Sequence, residues 1–366
     1  MDKKLIWMIK SASVSPTRKN LEELSSRKDL FDESTIDFES EYYKEAKKNY
    51  DIAQKEGYSI VTYIDKLYPE KLKHISKPPA VLFVDGDATI LADTVFTGIV
   101  GARKSDMYGT RMAETIALEI GQTGAGIISG GARGIDSASH RGALRSKAPT
   151  VAVLGCGLDV CYPPENKKLF REIASSGGAV VSEFPFGTPA NAYNFPQRNR
   201  IIAALSTALV VVRAAYKSGS LITASRALEM GVSVFAVPGN IDDNLSSGTN
   251  ALIRDGANIL LSPMDVIDEL IALEPDFFVR EKERAELRES EEKIIIEEKP
   301  KKPQNLSSYE EEIVSIIESG AVFQSQIEEK ISFEPQRLTA LLGMMEIKGI
   351  IRKGPDKKYE ITRRGC

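Results

Sequence analysis

The side chains with the most chemical reach in this 366-residue chain sit in short turns of glycine, serine and arginine. Gly101-Ala102-Arg103-Lys104-Ser105 is the first such turn and Ser129-Gly130-Gly131-Ala132-Arg133 the second. Glycine and serine leave backbone N–H groups bare there, while Arg103 and Arg133 add forked cations suited to phosphate oxygens. Asn194-Phe195-Pro196-Gln197-Arg198-Asn199-Arg200 follows. Pro196 suits a first helical turn, so Arg198, Asn199 and Arg200 should cluster where a helix N-terminus already favours anions. Ser218-Gly219-Ser220, with Thr223 one turn on, has the same character, and Pro238-Gly239-Asn240 and Gly248-Thr249-Asn250 repeat it. A single Gly-Ser turn says little, but a series of them pointing one way is informative. Two plainer readings stand beside the anion cradle: a Gly-rich turn required by tight packing, and an arginine held by Glu183 or Asp136 in a structural ion pair. Tyr162-Pro163-Pro164 leads to Asn166, Lys167, Lys168 and Phe170. Lysine with an aromatic supplies charge for a nucleic-acid backbone and a flat face for a base, although Phe170 on an amphipathic helix is as readily core.

Other chemistries lack their residues. A dinucleotide site needs G-x-G-x-x-G after the first strand and a carboxylate after the second, and neither is present, which disfavours NAD. His74 and His140 are the only histidines, and Cys156, Cys161 and Cys366 are an odd set. Neither a His/Cys zinc cluster nor a disulfide framework can be assembled from them. His140 has no nucleophile arranged around it by sequence, Asp136 to His140 reads as a helix start with a capping aspartate, and Cys156 and Cys161 read as buried small hydrophobes. No catalytic residue, metal or cofactor is expected.

The elements that must position the turns form βαβ grammar. Strands are expected near Thr97–Val100, Gly126–Ser129, Thr150–Leu154, Ala179–Ser182, Ala208–Val212, Ser233–Ala236 and Asn258–Leu261, with helices such as Met107–Glu119 and Leu221–Met230 between them. Runs like Ala208-Leu209-Val210-Val211-Val212 are apolar throughout, as strands are when helices cover both faces of a parallel sheet. The fold class is therefore α/β, an extended, doubly wound, mostly parallel Rossmann-like sheet whose ligands bind beyond the carboxyl ends of its strands. Ser59–Tyr63 and Ala80–Val84 read as strands that extend it, with Gly57 placed to stop the helix before them.

Length and composition agree with several domains: hydrophobic residues make up 42% and charged residues 27%, enough to bury a sizeable core. Residues 1–58 read as a small helical domain, 59–275 as the sheet domain, 276–304 as a charged linker and 305–366 as a further domain. In 280–303, 16 of 24 residues are charged, with almost nothing to bury except Ile294 to Ile296. Ser307-Ser308-Tyr309-Glu310 then has capping-box spacing, Leu338, Leu341, Leu342 and Met345 form a helical stripe, and Ile350–Arg352 and Tyr359–Thr362 flank a Gly354-Pro355-Asp356 turn. Three helices and a hairpin predict a winged helix. The net charge of −4 conceals a basic middle, since 95–262 holds 16 basic against 12 acidic residues and can bind an anion locally. Met1 to Pro16 offers only the short apolar patch Leu5 to Ile9, and nowhere do eighteen apolar residues run together. Neither secretion nor membrane spanning is supported, and a cytoplasmic chain fits.

Taken in order, the blocks Gly101-Ala102-Arg103, Ser129 to Asp136, His140 to Leu144, Tyr162-Pro163, Phe195 to Ile201, Ser218 to Ala224 and Pro238-Gly239 resemble the signature of the DprA/Smf family of DNA-processing proteins. The resemblance covers roughly residues 60–262. It implies a homodimeric protein that binds and protects single-stranded DNA and helps load RecA recombinase during uptake of transforming DNA. Carried over by block, it implies strand contacts at Arg103, Gly130, Gly131, Lys167, Phe170, Asn199 and Ser218 to Ser220. The residues themselves add Arg133, Arg198 and Arg200. Two departures bear on the footprint: Arg213 stands where the family commonly has glutamate, and Gln197 where it often has a basic residue. Two other classes compete. A nucleotide-cleaving enzyme of the lysine-decarboxylase-like type would carry a Pro-Gly-Gly-x-Gly-Thr run that Pro238-Gly239-Asn240 does not continue. A double-strand-binding regulator would use the third helix of the tail, whose Glu334, Arg337, Glu346 and Lys348 make a mixed face.

Overall fold

The computed structural model describes residues 1–284, 306–320, 323–331, 335–354 and 357–361. Residues 1–284 form one compact unit, and the chain from Ala285 onward forms a second. In chain order, α1 (Lys3–Ala12), α2 (Arg18–Ser25) and α3 (Glu41–Glu56) precede β1 (Ser59–Thr62), α4 (Glu70–Lys73), β2 (Val81–Gly86) and α5 (Ile90–Asp93). Seven strands then alternate with helices. They run β3 (Phe96–Val100), α6 (Met107–Gln122), β4 (Gly126–Ser129), α7 (Ile135–Ser146), β5 (Thr150–Val153), α8 (Lys167–Ser175) and β6 (Ala179–Ser182). The second half runs α9 (Asn194–Leu205), β7 (Ser206–Val211), α10 (Gly219–Glu229), β8 (Ser233–Ala236), α11 (Ser247–Arg254), β9 (Asn258–Ile259) and α12 (Pro263–Leu273).

One nine-stranded sheet results, in the order β1-β2-β6-β5-β4-β3-β7-β8-β9. The strands from β3 to β9 pair in parallel, and β2 and β1 extend the sheet antiparallel beyond β6. Alternation along a strand divides the core between the faces. On β7, Leu209 and Val211 point to the side covered by α9 and α10, while Ala208 and Val210 join the helices α6, α7 and α12 on the other. All six residues of β7 are buried, which explains the apolar run that begins at Ala208. The strand order reverses where β3 lies beside both β4 and β7, so the loops after β3 and β7 diverge and leave a crevice at the carboxyl edge.

The first 58 residues share their core with this sheet rather than folding apart from it. Trp7 on α1 is fully buried, stacks on Tyr63 at 6.0 Å and donates its indole N–H to the Ala80 carbonyl at 2.8 Å. Leu21 and Leu24 of α2 join the same cluster as Val84 and Leu209. Gly57, at φ 76°, ends α3 as expected.

The second unit contains the expected helices, Ser308–Glu318, Gln324–Glu328 and Pro335–Ile347, followed by an antiparallel hairpin of β10 (Ile351–Lys353) and β11 (Tyr359–Ile361). Among the described residues this order of elements is consistent with a winged helix. Ser307 and Glu310 close a capping box at the first helix, and Leu338, Leu342 and Met345 are buried against Ile313 and Ile317. Of the expected linker 276–304, residues 276–284 are helical and belong to the first unit, while 285–304 with Ile294 to Ile296, Glu334, Pro355 and Asp356 of the turn, and Thr362 lie outside the described residues. Among the described residues no helix is long and apolar enough to cross a membrane.

Candidate nucleic-acid interface

The crevice at the strand reversal opens into a cavity of about 480 Å³, lined chiefly by residues that follow the strands from β3 to β7. Arg103, Arg198, Asn199, Ser218, Gly219 and Ser220 meet there, as the strand-edge argument requires. The turn after β3 is fixed by backbone: Ala102 donates to the Arg213 carbonyl at 2.7 Å, and Ile135 donates to the Ala102 carbonyl at 3.3 Å. A side chain at Gly101 would strike Ile135 at 2.6 Å, so only glycine lets the two strands' turns close on each other. Arg103 is thereby carried to the rim. It is exposed, lies 4.7 Å above the Phe195 ring and makes no ion pair among the described residues.

Opposite it, α10 begins at the cavity. Ser218 is the N-cap, its hydroxyl 2.8 Å from that of Ser220, and Gly219 has open space around it. The 11-residue helix therefore aims the positive end of its dipole at the hollow. Thr223, one turn in, is 1% exposed, yet it lines the cavity and its hydroxyl enters no hydrogen bond among the described residues. Tyr162 and Phe195, with ring centroids 5.6 Å apart, make an aromatic wall.

The other arginines are placed differently. Arg198 is 3% exposed and structural: its Nη1 donates to the Gly130 carbonyl at 2.7 Å and to the Val153 carbonyl, and its Nε to Asn199 Oδ1 at 3.2 Å. Burial pushes its pKa down to about 10, and Asp136 opposes the shift. Asp136 is itself buried; loss of solvation raises its carboxyl, and Arg198 works against that rise. It is not the cap of α7. Gly134, at φ 72°, holds that place, and Asp136 instead accepts the Ala132 N–H at 3.3 Å. The guanidinium comes within 2.5 Å of where a Gly130 Cβ would stand, so Gly130 makes room for Arg198.

Arg200 turns away from the cavity into a second hollow. It grips Glu183 with two bonds of 2.5 and 2.6 Å and donates to the Lys77 carbonyl at 2.8 Å. Glu183 thus takes Arg200, and the ion-pair reading raised by the sequence describes this arginine. Arg133 is exposed but paired with Glu165 at 2.5 Å, which holds the Glu165 carboxyl below its usual range. Arg213 is buried between Asp106 and Asp243, with Ser246 as a further partner. Two carboxylates absorb its charge, so this departure from the family pattern brings no free cation to the cavity. Gln197 lines the second hollow, not the first.

Gly130, Gly131, Lys167 and Phe170 do not line the cavity. Gly130 and Gly131 are buried, Gly131 at φ 63°, and its carbonyl accepts from Asn166 at 2.9 Å. Phe170 is a core residue. It is 8% exposed, packs with Leu154, Cys156 and Ile173, and its ring would lie 2.8 Å from a Gly131 Cβ. Lys167 and Lys168 are exposed at the start of α8 without ion pairs among the described residues. His140 is fully buried, bonded through Nδ1 to Thr150 at 2.8 Å, and burial pushes its pKa down to about 3. The thiol of Cys156 is buried and pushed up to about 11, chiefly by loss of solvation. Among the described residues no group of three or more His, Cys, Asp or Glu could hold a metal ion.

The family of DNA recombination-mediator protein A matches residues 59–271. This chain belongs to that family. DNA processing protein DprA of Bacillus subtilis is 41% identical over 217 residues, 59% of this chain and 73% of that one. Protein Smf of Escherichia coli is 39% identical over 214 residues, 58% of this chain and 57% of its own length. The X-ray structure of DprA from Streptococcus pneumoniae matches 74% of this chain and 98% of that one at 33% identity, with a TM-score of 0.59. A Helicobacter pylori DprA structure, described by its single-stranded DNA binding mode, matches 59% of this chain and 96% of that one at 31% identity and a TM-score of 0.54. The family's match thus begins at β1 and ends within α12, enclosing the whole rim of the cavity.

The sequence pattern alone does not mark the aromatic residues of the rim as site residues. Tyr162 and Phe195 line the cavity, and Tyr193 and Tyr216 stand exposed on the turns that lead into α9 and α10. A signal was present in Tyr216-Lys217-Ser218-Gly219-Ser220, where aromatic and lysine precede the helix start directly.

Proposed function

We propose that this chain binds single-stranded DNA along the carboxyl edge of its sheet, protects it and hands it to RecA recombinase, acting as a homodimer and without catalysis of its own. The observation that carries the reading is the pairing of an unspent cation with an open helix start: Arg103 faces the same cavity as Ser218 to Ser220. Guanidinium, hydroxyls and the Gly219 N–H at the helix start are donors that phosphate oxygens accept from, and they carry no sequence information. Asn199 at the cavity wall and Lys167 on the neighbouring helix lengthen the path. Membership of a DNA-processing family and likeness to a DprA whose structure was described by its single-strand binding support the same ligand.

The test is a gel shift of the full chain with single- and double-stranded oligonucleotides of one sequence. Preference for the single strand, weakening as salt rises, is the expected result; equal affinity for the duplex favours the regulator reading, and affinity indifferent to salt removes phosphate contacts from the site. Steady release of a base or sugar from a mononucleotide would instead favour the nucleotide-cleaving enzyme. Dimerisation is supported by the short edge strand β9 and the turn after it, where Ile259 is 45% and Leu261 75% exposed, beside the half-buried Leu252 and Ile253. Two cavities on one strand would raise affinity through effective concentration, and sedimentation at micromolar concentration should show the dimer.

A further inference from the structure

Large side chains left bare on a folded surface are rarely placed without use when they gather around one opening. Tyr193 is 73% exposed as the N-cap of α9, directly after the cavity-lining Ala192. Tyr216 is 68% exposed in the turn before α10, two residues ahead of the cavity-lining Ser218. Neither forms a ring contact with another aromatic among the described residues, in contrast to Tyr162 and Phe195, which pack on each other inside the hollow. Lys217 follows Tyr216, is exposed and has no ion pair among the described residues. A flat apolar face beside an unspent cation, next to donors for phosphate, is complementary to one kind of chain: a backbone of phosphates carrying unstacked bases.

We propose that Tyr193 and Tyr216 are stacking platforms for the bases on either side of the nucleotide held at the Arg103 and Ser218–Ser220 cavity. The proposal rests on the single-strand reading above and adds base contacts to its phosphate contacts. A tyrosine platform tolerates any base because every base has a π-face, while a paired base in a duplex keeps its faces covered by its neighbours. The two tyrosines therefore account for preference for single strands without any contact to base edges.

The test compares the full chain with Tyr193→Ala, Tyr216→Ala and the two Tyr→Phe variants, on an oligothymidylate and on an abasic strand of the same length. Each alanine variant should bind the oligothymidylate about five- to hundredfold more weakly, the range that stacking of one base implies. Each phenylalanine variant should stay within about twofold of the parent, and all should bind the abasic strand alike. Tyr216→Trp adds a direct reading, because the only native tryptophan, Trp7, is fully buried. Oligothymidylate should quench the new indole and the abasic strand should leave it unchanged. Alanine variants that bind oligothymidylate as the parent does, with matched melting curves, overturn the platforms and leave the single-strand reading standing. A parent that binds neither strand overturns both.

Discussion

Two hollows meet at Pro196, and they are furnished with similar side chains to opposite ends. The second is the larger, about 1010 Å³ against 480 Å³, and richer in cations, with Lys71, Lys77, Arg200 and Arg226 on its walls. Three of these are already matched: Lys71 with Glu274, Arg200 with Glu183 and Arg226 with Glu229. In the first hollow Arg198 is locked into the core by two carbonyls, whereas Arg103 lies over an aromatic ring and makes no ion pair among the described residues. An anion is drawn by charge that the fold has not already neutralised, so neither volume nor a count of basic residues marks the site. A bidentate pair such as Arg200–Glu183 must be broken before either partner can serve a ligand.

The comparison breaks most sharply at Arg198. Arg198→Ala would leave the Gly130 and Val153 carbonyls without their donor and the buried Asp136 without its neighbouring cation. Loss of about 3–5 kcal/mol of unfolding free energy is expected, as for other buried charges stripped of a partner, and urea titration followed by circular dichroism measures it. DNA binding should fail with the fold. Arg103→Ala should do the reverse: stability within about 1 kcal/mol of the parent, since only an exposed cation–π contact is lost, but strand affinity lower by about 1.5–3 kcal/mol, ten- to hundredfold. Lysine at 103 should restore part of it, being a point charge without the fork. The salt dependence of binding, measured by fluorescence anisotropy, should lose about one counterion in its slope. Normal affinity in a well-folded Arg103→Ala protein would contradict the cradle.

Much of this architecture was legible in the chain because strands buried on both faces and glycine-rich turns write themselves plainly. β4, β6 and β8 have the ends expected of them, and the N-cap and capping box at Ser307 are where spacing put them. The site was legible only as a neighbourhood. Sequence could place Arg198 and Arg200 at one helix start, but two positions apart on a helix point to different sides, and that rotation sends one into the core and the other to Glu183. Phe170 was drawn to the site by the lysines beside it, whereas the amphipathic period of α8 buries it with Leu169 and Ile173. Arg213 shows the same limit: the charge is visible in the sequence, and the two aspartates that cancel it come from 107 and 30 residues away.

Arg200→Gln sharpens the contrast from the second hollow. Glutamine keeps a polar chain near Glu183 but loses the fork, so about 1–2 kcal/mol of stability should go, modest because the pair is partly solvated, at 16% exposure on each side. Strand affinity should change less than about threefold, because this arginine's donors already serve Glu183, Lys77 and Gln197. A loss on the scale of Arg103→Ala would mean that the strand runs past Pro196 into the larger hollow, and the boundary between the two would have to be redrawn.

The smallest effect belongs to the tail. Its described cations are largely engaged: Lys348 with Glu310, Arg352 with Glu360, and Lys353 over the Tyr359 ring. Lys348 and the Ser307 cap draw the Glu310 carboxyl down to about 2, so this pair helps the tail above the usual carboxylate range and is lost only as pH falls toward that value. A surface so occupied releases few counterions on meeting a phosphate chain. Residues 1–284 form a compact unit by themselves, with the cavity and both exposed tyrosines inside it. A chain ending at residue 304 should therefore melt like the first unit of the full protein and bind a single strand within about twofold of it, as anisotropy titration would show. A larger loss in a folded truncation would put a strand contact on the tail. Duplex binding that disappears with the tail would make the winged helix a second, double-strand reader.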